Sequence, residues 1–145
     1  MADGQLSTLQ QEWITLQNQF DQYEKFSLLI KLFNILVTCY LLFVVELAWW
    51  PLFVCAVIWL QDGIWKTFQA RTGDRLLLVE EAVSQLQGAD NSSQPILGMQ
   101  FNSEWENSRK GAVGLIMEYV KQSLKPTVAY PHVLLLLLCL VMMFL

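Results

Sequence analysis

Residues 26–45 read FSLLIKLFNILVTCYLLFVV, and Lys31 is the one charged residue among them. A hydrocarbon layer about 30 Å thick needs roughly 20 helical residues at about 1.5 Å of rise each, so this stretch has the length of a membrane span. Working outward, a second apolar block follows at once, Leu47 to Leu60 (LAWWPLFVCAVIWL), and a third closes the chain, Val133 to Leu145 (VLLLLLCLVMMFL). The second is short by itself, a length that also suits a re-entrant or buried core helix. It extends through Gln61, Asp62, Gly63, Ile64, Trp65 and Lys66, which places Trp65 and Lys66 at one interface and Trp49 and Trp50 at the other, the aromatic belt of a true span. The third reaches span length when it starts just after Lys125 and includes Tyr130 and Pro131.

The fold class expected from these blocks is an all-α integral membrane protein. It has a two-span antiparallel helical hairpin with cytosolic coiled-coil-like helix extensions, an amphipathic helix and a C-terminal third span. The divisions fall at 1–25 for a cytosolic amphipathic helix, 26–68 for the hairpin (spans at about 26–45 and 48–66), and 69–87 for a cytosolic helix. A linker at 88–98, an amphipathic cytosolic or interfacial helix at 99–124 and the last span at 126–145 complete the order.

Charge orients this arrangement. Lys66, Arg71, Arg75, Arg109, Lys110, Lys121 and Lys125 all lie between the second and third blocks, and the short link from Glu46 to Trp50 has no basic residue. The positive-inside rule then puts the N-terminus and residues 66–125 in the cytosol and the link and C-terminus outside, in the inner (cytoplasmic) membrane of the cell. The first 25 residues are polar and acidic, so no secretory signal is read there.

Outside the blocks the pattern stays helical. Leu6, Leu9, Trp13, Leu16, Phe20 and Tyr23 recur at alternating spacings of three and four, the a/d seam of a coiled coil, and this seam is read as a partner-binding face. Ser7 followed by Gln10 resembles a capping box where such a helix would begin. Phe68, Thr72, Leu76, Val79, Val83 and Leu86 form a second stripe, with Gly73 a place for a bend. In an antiparallel hairpin the two extensions emerge side by side and can close these stripes on each other. Gly88, Asn91, Ser92, Ser93 and Pro95 mark the linker; Asn91-Ser92-Ser93 fits a glycosylation acceptor only formally, on the side expected to be cytosolic. Ser103 to Lys121 then reads as an amphipathic helix that lies on the membrane or packs on the hairpin.

Several function classes are disfavoured. The net charge of −4, with Lys and Arg interleaved among acids, offers no basic stripe for nucleic acid. Cys39, Cys55 and Cys139 all fall in apolar blocks, without metal spacing, and no cofactor is expected. The chain has one histidine, His132, and no phosphate loop, paired-His motif or nucleophile elbow, so no enzyme is expected. Arg71 and Arg75 are read as headgroup contacts; with Asp62 they are also the one cluster that a lipid-directed enzyme could use.

The polar residues inside the apolar blocks carry more information, because charge there is costly and tends to be paired or functional. Folding the hairpin about Glu46 and Leu47 makes Lys31 and Asp62 equidistant from the turn, and His132, seven residues past Lys125, comes to a similar level. A polar membrane layer of Lys31, Asp62 and His132 follows, each within about 10 Å of the cytosolic end, with Asn34 and Gln61 as further candidates. The outer two thirds of every span are expected to be apolar.

Two spans followed by a helical segment resemble, in layout only, small membrane effectors that oligomerise into pores and small immunity or accessory subunits. The function expected is a non-catalytic membrane subunit or scaffold whose partners are the lipid bilayer and a protein partner or further copies of itself. The alternative is a homo-oligomeric pore-forming or transport protein.

Overall fold

The computed structural model describes residues 2–45, 49–88, 103 and 111–144. They are all-α, with four helices: α1 (Ala2–Phe43), α2 (Trp50–Gly88), α3 (Gly111–Ser123) and α4 (Pro126–Phe144). Gly88 ends α2, and the rest of the expected linker, 89–98 with Asn91-Ser92-Ser93, and residues 99–102 and 104–110 of the amphipathic helix, including Trp105, lie outside the described residues.

α1 and α2 are each about 60 Å long at 1.5 Å per residue, twice what a hydrocarbon layer needs. By length and composition α1, from Gly4 to Phe43, and α4 could each cross a membrane. The same criterion does not select α2, because Gln61, Asp62 and Lys66 dilute its apolar half.

The two long helices pack antiparallel, and their contacts pair the start of α1 with the end of α2 and the end of α1 with the start of α2. Trp13 Nε1 donates to Glu80 Oε1 (2.9 Å), Arg75 Nε to Glu12 Oε1 (2.9 Å), Lys66 Nζ to Glu24 Oε2 (2.7 Å) and Asn34 Nδ2 to Cys55 Sγ (3.3 Å). Pro51 sits in the first turn of α2, where a missing N–H costs nothing. α1 begins at Ala2, ahead of the capping box expected at Ser7, whose hydroxyl instead donates back to the Gly4 carbonyl (2.9 Å) from within the helix.

The expected seam closes on α2. Leu9 and Leu16 are buried with Leu76, Val79 and Ala82, and Trp13, Phe20 and Val83 flank them. Gly73 is not a bend: α2 runs unbroken through it, and the Phe20 ring lies 3.1 Å from where a Cβ would stand. This apolar cluster belongs to the half of the hairpin remote from the turn.

Near the turn the arrangement inverts. Leu28, Leu32, Phe33, Leu36, Tyr40 and Phe43 of α1 point outward, more than half exposed, and the buried residues of this stretch are Ser27, Asn34, Thr38 and one apolar residue, Leu42.

α3 starts at Gly111 with φ +71°, a backbone conformation that glycine adopts without a Cβ clash. It packs along α2, and its end fits so closely that a Cβ on Gly63 would collide with the Ser123 hydroxyl. Trp59 Nε1 donates to the Ser123 carbonyl (3.0 Å) at the same place. Pro126 opens α4, with Lys125 O accepting from the N–H groups of Val128 (2.9 Å) and Ala129 (2.8 Å). α4 breaks once, at Tyr130 (φ −80°, ψ 130°), the extended backbone that a following proline favours; the Tyr130-Pro131 bond is cis.

Candidate functional site: a buried polar network between three helices

Lys31, Asp62 and His132 come together where α1, α2 and α4 meet. Asp62 is the common acceptor. Its Oδ1 accepts from Ser27 Oγ at 2.7 Å, and its Oδ2 faces His132 Nε2 at 3.2 Å and the Lys31 ammonium at 3.7 Å. Asp62 and His132 have no exposed side-chain surface, and Lys31 retains 16%. An unpaired charge at such a position is costly, and here the carboxylate faces one cation and two further donors.

The cation has a second task that the sequence explains. Pro131 has no N–H, so the carbonyl of Thr127, four residues earlier, loses its intrahelical partner. Lys31 Nζ donates to that carbonyl at 2.9 Å. The break in α4 is thereby held by a side chain of α1.

The network continues deeper through Asn34. Thr38 Oγ1 donates to Asn34 Oδ1 (3.2 Å), which turns the amide nitrogen toward His132 Nδ1 (2.6 Å) and Cys55 Sγ (3.3 Å). With an amide N–H directed at it, His132 Nδ1 is the acceptor, so the ring proton sits on Nε2 and points at Asp62. Cys55 Sγ in turn lies 3.7 Å from the His132 carbonyl, and Trp59 stacks over the imidazole with 6.4 Å between ring centroids. Ser27, Lys31, Asn34 and Thr38 are spaced by four, three and four residues, one face of a helix, and this face was legible in FSLLIKLFNILVTCYLLFVV.

Not every expected member is present. Gln61 is exposed. Asn34, a further candidate, is part of the network, which also rises further than expected because Thr38 and Cys55, both buried, carry polar atoms into the part expected to be apolar. Arg75, expected at headgroups, is 3% exposed and paired with Glu12, itself 6% exposed, between α1 and α2. Arg71 is likewise engaged within the chain: its Nη2 lies 2.7 Å from Glu118 Oε2 of α3, and its guanidinium sits 5.6 Å from the Phe68 ring centroid. Of the seam residues, Leu9 and Leu16 are buried against α2, and Leu6, Trp13, Phe20 and Tyr23 are half-buried.

Serine, histidine and aspartate here do not form a nucleophilic triad. In such a triad the imidazole stands between hydroxyl and carboxylate and takes the hydroxyl proton. In this network the carboxylate stands in the middle, and Ser27 donates to Asp62 directly. No group of three or more His, Cys, Asp or Glu side chains among the described residues is placed to hold a metal ion. At the end of the layer remote from the α1–α2 link, Lys66 and Gln69 both donate to Glu24 (2.7 Å each), which holds that carboxyl below its usual range.

Comparison with protein-family models, with curated proteins and with solved structures finds no match to this chain.

Proposed function

We propose that the chain is a non-catalytic membrane subunit that crosses the bilayer three times and assembles with a partner protein through its water-side helices. Two features support the membrane reading. Only 22% of the most apolar window in α1 and in α4 is buried, whereas a soluble core helix of that hydropathy would be enclosed. In the same region polar side chains are inside and large apolar ones outside, the distribution that a lipid solvent favours. Once its Asp62 is paired, α2 crosses with its partners as the second arm of the hairpin. The N-terminus and α3 lie in the cytosol, and the turn and the end of α4 lie outside.

The observation that carries the assembly reading is α3. Val113, Ile116, Met117 and Val120 form one stripe along it and are 75%, 60%, 65% and 42% exposed. The opposite face of α3 is committed to α2 through Glu118 and Ser123. By its pairing with α2 at Arg71 and Gly63, most of α3 extends beyond the spans, where lipid does not cover the stripe. A groove of about 500 Å³ between α1 and α2, lined by Trp13, Ile14, Glu80 and Val83, adds a second apolar surface in the same water-side region.

The test is co-purification after gentle extraction from the native membrane, comparing wild type with Ile116→Asp/Met117→Asp. A stoichiometric second protein that is retained by wild type and lost by the variant supports the reading. A wild-type chain that extracts alone contradicts it.

A pore of identical copies is the second reading, and the length of the network favours it: Ser27 to Thr38 covers about 16 Å of depth. Against it, these polar groups are bonded to one another and enclosed, so they offer no face to a lumen. A closed ring of copies that conducts ions across bilayers, with conductance lost in Asp62→Leu, would revive it.

A further inference from the structure

Cys55, Asp62, Gln69 and Leu76 of α2 are buried at intervals of seven, and Val83 continues the series against α1, so residues twenty-one apart share a face of α2. Trp59 and Gly63 seat the end of α3 on one such face, and Glu80 and Ser84, twenty-one residues on, stand on its continuation. α3 does not cover that continuation. It runs antiparallel to α2, and Gly111, where it starts, is about 10 Å ahead of Glu118 and its contact with Arg71, so it reaches about as far as Leu78. Beyond that level lies the groove of about 500 Å³, with Trp13, Ile14 and Val83 as its apolar lining and Glu80 and Ser84 on the α2 wall. Ile14 is 54% exposed there. A face on which one helix already packs suits a second helix laid end to end with it.

Charge decides which helix fits. Residues 1–24 contain Asp3, Glu12, Asp21 and Glu24 and no Lys, Arg or His, and residues 76–88 contain Glu80 and Glu81 and again no cation. Arg75, the nearest cation along α2, is buried against Glu12, whereas Asp21, Asp74, Glu80 and Glu81 are exposed. Residues 89–108 of the same chain add Asp90, Glu104 and Glu106 and no cation; Arg109 and Lys110 come only immediately before α3. That segment, a second copy of this acidic surface and an anionic lipid headgroup all bring like charge to the groove, which is unfavourable.

We infer that the groove receives a basic amphipathic helix of the partner protein. Apolar side chains at helical spacing lie against Trp13, Ile14 and Val83, and the Lys or Arg residues flanking them face Glu80 and Glu81. The inference rests on the assembly reading above and names the chemistry of the partner.

The experiment places the photocrosslinker p-benzoylphenylalanine at Ile14 of the full chain in its native membrane, and at Ile116 in a second preparation. Both are irradiated, and the joined peptides are sequenced by mass spectrometry. The result expected at Ile14 is an adduct with a peptide of another protein in which apolar residues recur at three and four and Lys or Arg flank them. Its yield should fall roughly fivefold in Glu80→Gln/Glu81→Gln, the loss of two exposed ion pairs, and should fall likewise as salt is raised in membrane vesicles. Glutamine at position 80 keeps an oxygen for the Trp13 N–H, so the groove wall is retained in that variant. An adduct to residues 89–110, to a second copy, to lipid or to a peptide without flanking cations overturns the inference, as does a yield indifferent to charge. A protein adduct at Ile116 with none at Ile14 overturns it and leaves the assembly reading standing. The absence of a protein adduct at both positions overturns the two together.

Discussion

Asp62 of α2 and His132 of α4 meet at 3.2 Å with neither side chain exposed, and this contact joins the third apolar helix to the hairpin. α4 is tied to α1 by two further polar contacts, from Lys31 to the carbonyl freed by Pro131 and from Asn34 to His132 Nδ1. The charged part of α4 docking is one carboxylate and one ammonium.

Removing one member of a buried ion pair strands the other, at a cost of about 3–5 kcal/mol. Asp62→Leu is expected to reach at least the lower end of that range, measured as loss of thermal stability in mild detergent. Lys31→Leu/Asp62→Leu, which leaves no stranded charge, is expected to be more stable than Asp62→Leu alone. Equal stability of the two variants would show that the pair is not coupled.

The contact between Gly63 and Ser123 sets how closely α3 approaches α2. Gly63→Val forces the helices apart and also strains the Trp59 bond to the Ser123 carbonyl, at an expected cost of about 1–3 kcal/mol. Ser123→Gly in the same chain removes the side chain that the new methyls meet and is expected to restore part of the loss. A double-mutant cycle read by thermal unfolding checks this, and strict additivity would contradict it.

The seam of α1 and the stripe of α3 should respond differently to charge. Leu9→Asp or Leu16→Asp buries a carboxylate in the apolar cluster with Leu76 and Val79 and is expected to unfold the half of the hairpin remote from the link. Limited proteolysis before residue 26 reports that opening. Ile116→Asp and Met117→Asp place the charge on an exposed face and are expected to leave the protease pattern unchanged.

Glu24 supplies a pH dependence. Its carboxyl is held below the usual range by Lys66 and then Gln69, so its contribution is complete above that range and is lost as pH falls through the lowered value. The side chain is 64% exposed, so the effect is small and screened by salt. Stability measured against pH should lose this acid step in Glu24→Gln, and an unchanged profile would contradict the assignment.

Much of this arrangement is readable from residue spacing, and the exceptions have identifiable causes. The antiparallel hairpin follows from two apolar blocks joined by a short link, and its register brings Lys31 level with Asp62. The polar face of α1 was equally available from the spacing of Ser27, Asn34 and Thr38, but small neutral polar residues carry little hydropathy signal beside a charge. A guanidinium near a span end suits headgroups and an internal carboxylate equally, and for Arg75 the choice depends on Glu12, sixty-three residues away. Gly73 was read from helix propensity, a local property, whereas its role is to admit the Phe20 ring from another helix. The lysine bond to Thr127 could have been sought from Pro131, since a proline within a helix always leaves one carbonyl to be satisfied.

The three crossings are tested most directly by impermeant thiol labelling of intact cells. Single cysteines are introduced at Ala48, Ser84 and Phe144 in a background without Cys39, Cys55 and Cys139. Three crossings require Ala48→Cys and Phe144→Cys to label from outside and Ser84→Cys to label only after the membrane is opened. Labelling of Ala48→Cys and Ser84→Cys from the same side would contradict the hairpin crossing, and with it the placement of the Asp62 and His132 contact inside the bilayer.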